Sequence, residues 1–200
     1  MTAKPGFFTR IKTLELWQKT LFATALTERM LPNYQLFAEM TEQEDGEKPQ
    51  VALDLLWQSL YDRKFKLNLE RLINQMEELM PDEEAHDTYA VYPAMDMLTS
   101  LITIFSAIQQ KIETDLINIS KLSSSTVAAF IEASEQPDVD SEDALDDYVF
   151  EHELMQQERE IQEQLLDYIE SLEKPFPDEI KGLRKEMRDA GISNIGVSLD

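Results

Sequence analysis

No glycine occurs between Gly46 and Gly182. Tight turns, phosphate-cradling loops and hairpins consume glycine, because they need backbone angles that other residues resist. The middle of this chain therefore holds no Rossmann fingerprint and no P-loop, and it argues against a strand-and-turn architecture. The 200 residues carry five glycines in all, at positions 6, 46, 182, 191 and 196. Leu, Glu, Gln and Met are plentiful, so the composition is helical.

The spacing of apolar residues agrees. Steps of three and four predict an amphipathic helix over 9–30. Pro32 predicts a break or kink near Leu31, then a short helix over 32–40. A polar turn follows at 41–48, and Pro49 opens a helix to Tyr61. Asn68 caps a helix running to Met80, and 82–87 is a charged connector. Pro93 stands in a first turn, and 94–111 is the most apolar helix, expected at the core. Its apolar run, 94–108, is interrupted by Asp96 and four hydroxyl residues and falls short of the ~20 residues of a bilayer span.

Thr114 is read as the cap of a helix to Ser134. The run Ser120–Thr126 inside it is poor in helix propensity. Its small side chains predict close approach of a neighbouring helix. Ser141 caps a long helix over 141–172, whose apolar stripe lapses at 156–160, where Arg159 takes an apolar position. That narrow stripe makes a second copy of the chain a candidate partner. Asp178 is read as the cap of a last helix to Ala190, stopped by Gly191, and 192–200 is a short apolar tail, extended or turn-like. The expected fold is all-α: one domain over residues 1–200, a bundle of seven or eight mostly antiparallel helices.

Charge limits the partners. Forty acidic residues against 18 basic ones give a formal net charge of −22. Thirteen acids and one base, Arg159, lie between Glu132 and Glu163, which is 1 − 13 = −12 on that segment. Such a field disfavours nucleic acid and anionic membrane and attracts basic proteins. The run is read first as a solvated face, with Lys174, Lys181, Arg184, Lys185 and Arg188 available to neutralise part of it. A basic-protein docking surface, including imitation of DNA, is the functional alternative. The chain has no cysteine, which excludes disulfides and thiol chemistry. The first residues show no signal-peptide pattern, so a cytoplasmic location is expected.

No catalytic constellation emerges. Glu83-Glu84-Ala85-His86 holds one Glu-x-x-His step, the kind di-iron bundles use twice, but there is no second copy. No metal site and no cofactor is assigned. The serine-rich run lacks a nucleophile elbow. Aromatic residues fall at helical spacing among aliphatics and are read as core. Asp96 stands apart, a carboxylate near the start of the most apolar helix. An arginine partner such as Arg29 or Arg184 is the favoured reading, and a ligand- or proton-handling role the sharper one.

Four segments carry a resemblance: Glu28-Arg-Met-Leu-Pro-Asn-Tyr34, Leu53-Asp-Leu-Leu-Trp57, Tyr89 through Asp96, and Ile180 through Gly196. They resemble the YjaG-like family of bacterial proteins, a domain of unknown function (number 416). The resemblance runs from about Ile11 to Gly196. It implies a single all-α, cytosolic domain with no assigned activity, cofactor or catalytic residue. The polar residues in the matching segments mark where to look for a ligand: Arg29, Asn33, Tyr34, Tyr92, Asp96, Arg184 and Asn194. A pocket built on Arg29, Tyr92 and Asp96 is the specific expectation.

Overall fold

The computed structural model describes residues 5–198. Nine α-helices and one 3-10 turn account for the regular structure among them. In chain order the helices are α1 (Phe7–Thr13), α2 (Leu16–Met40), α3 (Lys48–Tyr61), α4 (Leu69–Glu78), α5 (Val91–Gln110), α6 (Glu113–Glu135), α7 (Glu142–Glu151), α8 (Glu153–Ser171) and α9 (Pro177–Asp189). The all-α class stands, with one helix more than the upper expectation.

The extra helices come from two splits. The expected helix over 9–30 divides at Leu14 and Glu15, both extended. Glu15 and Gln18 form a capping box, with the Glu15 N–H donating to Gln18 Oε1 at 2.9 Å. The expected helix over 141–172 divides at His152, which is extended and caps α8. Its Nδ1 accepts the Leu154 N–H at 3.1 Å.

One expected break is absent. Pro32 lies inside α2, which runs unbroken to Met40. A proline in a helix interior costs about 3 kcal/mol. Tyr34 and Phe37, one turn further on, are fully buried. Each large apolar side chain gains roughly 1.5–3 kcal/mol on burial, so packing outweighs the lost hydrogen bond. Two caps also move. Thr114 lies within α6, whose N-cap is Ile112, and Asp178 lies in the first turn of α9, which Pro177 opens behind Phe176.

The core forms around α2 and α5, which pack most extensively on each other, with α6, α4, α3, α8 and α9 arranged around them. By length and composition α5 is the one helix among the described residues apolar enough to span a membrane, yet more than half of that stretch is buried inside the fold. Leu98, Leu101, Ile104 and Phe105 are fully enclosed. Buried hydroxyls in α2 are satisfied within the helix: Thr20, Thr24 and Thr27 donate to the carbonyls of Leu16, Thr20 and Ala23. A smaller apolar cluster joins Val127, Ile131, Val149, Met155 and Ile195, where α6, α7 and α8 meet the C-terminal tail.

The tail folds back as a tight turn. Gly191 stops α9 at φ +62°, as expected, and Gly196 turns the chain at φ +81°. The Ser193 N–H donates to the Val197 carbonyl at 2.8 Å. Ser193 Oγ accepts the N–H groups of Ile195 and Val197. This closure drives Asn194 into the interior.

Candidate functional site

The serine-rich run of α6 faces α8 and admits the close approach expected of it. What fills the contact is polar. Ser120 and Ser123, three residues apart, share a face of α6. Glu158 and Gln162, four apart, share a face of α8. All four are buried. Ser123 Oγ donates to Glu158 Oε1 at 2.6 Å, and Ser120 Oγ donates to Gln162 Oε1 at 2.6 Å. Gln162 Nε2 also donates to Glu158 Oε1 at 2.6 Å.

Arg29 of α2 completes this cluster from the third side, donating to the other Glu158 oxygen at 2.5 Å. Asn194 enters from the tail and donates to the Ser123 carbonyl and hydroxyl at 3.1 and 3.2 Å. Asn33 donates to Asn194 Oδ1 at 2.9 Å. Four segments distant in sequence thus meet in one network, and a buried ion pair sits in its middle. The lapse in the α8 stripe is explained. Met155, Glu158, Gln162, Leu165 and Ile169 form a continuous buried stripe with two polar members.

A second polar cluster ties α9 to α2 and α3. Glu28 is buried, accepting Trp57 Nε1–H at 2.7 Å and Arg188 Nε–H at 2.7 Å. Arg188 and Arg184 both donate to Asp54 Oδ1, at 2.7 and 2.6 Å. A cleft of about 160 Å³ opens beside it, lined by Glu28, Arg29, Pro32, Gln35, Gln50 and Arg188. Small-molecule sites are ~300–1,000 Å³, so this cleft is too small for most metabolites.

The seven sequence-chosen residues therefore fall into separate places. Arg29, Asn33 and Asn194 join the first network. Arg184 belongs to the second. Tyr34 is packed against Phe37, and burial, with the Asp45 charge, pushes its phenol up to about 12. Tyr92 is half-exposed beside Tyr89. Asp96 accepts from Thr126 Oγ1 at 2.7 Å across the α5–α6 contact. Neither expected arginine reaches it, because Glu158 holds Arg29 and Asp54 holds Arg184. Burial raises the Asp96 carboxyl above the usual carboxylate range, and the Thr126 hydrogen bond partly opposes it. Of Arg29, Tyr92 and Asp96, only Arg29 lines the small cleft.

Glu158, Gln162, Ser123, Glu28 and Trp57 were not singled out from sequence. The signal for the first three lay in the lapsed stripe and the serine run together: polar residues at helical spacing on two helices that must pack.

The acidic segment is mostly uncovered. Among its thirteen acids Glu158 is buried and Glu163 half-buried against Arg10, and the other eleven are exposed. Three of the five bases available to neutralise it are engaged elsewhere in the chain. Arg184 and Arg188 spend their charges on Asp54 and Glu28, and Lys181 lies over the Tyr61 ring. Within the segment, Glu135 accepts from Tyr148 and from His152, which draw its carboxyl below the usual range. Among the Glu-x-x-His residues, His86 packs edge-on against Phe37 at 4.9 Å.

Comparison with known proteins now bears on these features. The model of a family described as "Protein of unknown function (DUF416)" matches residues 6–198. "Uncharacterized protein YjaG" of Escherichia coli is 33% identical over 189 residues, covering 94% of each chain. An uncharacterized protein of Haemophilus influenzae is 35% identical over 191 residues, again with 94% of each covered. The crystal structure of a DUF416 family protein from Shewanella baltica is 52% identical. It superposes with a TM-score of 0.93 over 98% of this chain and 100% of that one. With its length matched end to end by that family's sequence pattern, and its helices superposing on those of a solved member, the chain belongs to the DUF416 family of proteins of unknown function.

Proposed function

We propose that this protein is a non-enzymatic interaction protein of the cytosol that docks a basic protein through the acidic surface of α7 and the segments flanking it. The observation that carries the reading is the spending of charge. Arg184 and Arg188 of α9 pair with Asp54 of α3 and Glu28 of α2, so they do not neutralise the eleven exposed carboxylates between Glu132 and Glu160. Glu142, Asp143, Asp146 and Asp147 are all exposed on one ten-residue helix. An exposed single-sign surface of this density steers oppositely charged proteins and accelerates encounter.

The polar residues with chemical potential support a non-catalytic role. Arg29 pairs with Glu158 and Asn33 with Asn194, all four buried, so they hold the helices and the tail together; of the four, Arg29 alone lines the small cleft. The test is affinity capture with the tagged protein at physiological salt, followed by the D146K/D147K variant. A stoichiometric basic partner that the wild type retains and the variant loses is expected, with binding that weakens as salt rises. Recovery of the protein alone, or equal retention by the variant, refutes the reading.

A further inference from the structure

A larger cleft lies elsewhere. About 750 Å³ opens between α1, α6 and the α7–α8 corner, within the range of small-molecule sites. Its apolar walls are Phe7, Phe8, Phe150 and Met155. Phe8 and Phe150 are 43% and 51% exposed and line the same opening. At each ring stands a cation: Lys121 Nζ is 5.5 Å from the Phe8 centroid, and the Arg159 guanidinium 4.1 Å from that of Phe150.

Acids outnumber bases 40 to 18, yet neither Lys121 nor Arg159 has a carboxylate partner among the described residues. The two carboxylates of the cleft are turned to other partners. Glu163 is bound by Arg10 at 2.7 Å, and Glu160 accepts from Gln164 at 3.0 Å. The hydroxyls of Ser124 and Ser125 border the same space. The opening thus combines apolar walls with two cations, while Glu160 is its one carboxylate without a cation.

We propose that this cleft binds a small amphipathic carboxylate, its apolar chain or ring lying between Phe8 and Phe150 and its carboxylate bridging Lys121 and Arg159. Charge complementarity selects the head group, because a neutral or cationic head leaves both cations unpaired. The phenyl rings and Met155 select the body. Arg159 supplies a planar fork that matches a carboxylate, and Lys121 a mobile point charge. Phe150, Met155, Arg159 and Glu160 of this site belong to the acidic segment, while Phe8 and Lys121 come from α1 and α6.

Titration calorimetry of the full-length protein with octanoate and with octanol tests it. Octanoate is expected to bind with one site per chain, and octanol at least about tenfold more weakly, the scale of a lost charge-assisted hydrogen bond. K121Q and R159Q should each weaken octanoate about tenfold and leave octanol unchanged. Both side chains are exposed, and circular dichroism of each variant verifies its fold. No binding of octanoate, equal binding of the alcohol, or indifference to both substitutions overturns the proposal.

Discussion

At the scale of the residue, the decisive group is Glu158. It is buried at 1% exposure and holds Arg29, Ser123 and Gln162 at once. A buried ion pair gains little net stability, because desolvation offsets attraction, but breaking one side leaves an uncompensated charge. Glu158→Leu should therefore destabilise the fold by about 3–5 kcal/mol, read as a lower midpoint in urea. The double variant Arg29→Met/Glu158→Leu should recover most of that loss. If the double variant is as unstable as the single, the network contributes more than charge balance.

Asp96 gives a second residue-scale prediction, with a definite sign. Its folded pKa is raised, by burial first, with the Thr126 hydrogen bond in opposition. The folded state then binds more protons than the unfolded state across the window between the unfolded value, near 3.9 for aspartate, and the raised folded value. Stability from this group is present in full below the window and lost as pH rises through it. Asp96→Asn keeps an acceptor for Thr126 and removes the charge. It should raise the melting temperature at neutral pH, and the advantage should shrink as both proteins are acidified through the carboxylate range. A gain that stays constant with pH would assign the effect to packing.

At the scale of the element, helix interiors were legible and helix ends only in part. Periodicity located α3, α4, α5 and α6, because burial of a 3.6-residue stripe decides them. Asn68 and Ser141 cap as read, each accepting the backbone N–H three residues on. The splits at Glu15 and His152 were hidden, because glutamate and histidine are not the usual cap residues. The continuity through Pro32 was hidden because tertiary burial overrides a local rule. The same logic left the candidate site half visible. Arg29, Asn33 and Asn194 were marked by the segments they stand in, while Glu158 was masked by twelve other acids around it.

The glycine-free stretch has a price at the helix ends. With no glycine at hand, α5 and α6 end on Lys111 and Gln136, both left-handed, at φ +59° and +45°. A side chain in that conformation costs roughly 1–2 kcal/mol, which glycine avoids. Gln136 is exposed, so replacing it disturbs no packing. Gln136→Gly should stabilise the protein by about 1 kcal/mol, seen as a higher melting temperature. The opposite change would mean that the unfolded-state entropy of glycine dominates at this position.

At the scale of the whole molecule, charge and fold oppose each other. A net −22 on 200 residues is a self-repelling surface, and eleven exposed acids concentrate it around α7. The ion pairs work in the other direction. Arg10, buried in α1, reaches Glu163, Asp167 and Glu170 on α8, and Lys19 reaches Glu113. Salt weakens both, but unequally. The exposed acids face solvent, where repulsion beyond a Debye length of roughly 8 Å is largely screened. Among the paired cations, Arg10 and Arg29 are only 4% and 8% exposed, which shields their side of those pairs from solvent ions. Screening should therefore remove more repulsion than attraction. The melting temperature should rise as sodium chloride is increased from low ionic strength, and most of the rise should disappear in the D146K/D147K variant, whose local field is smaller. A melting temperature that falls with salt in the wild type would place the balance with the ion pairs that fasten α1 and α2 to α8.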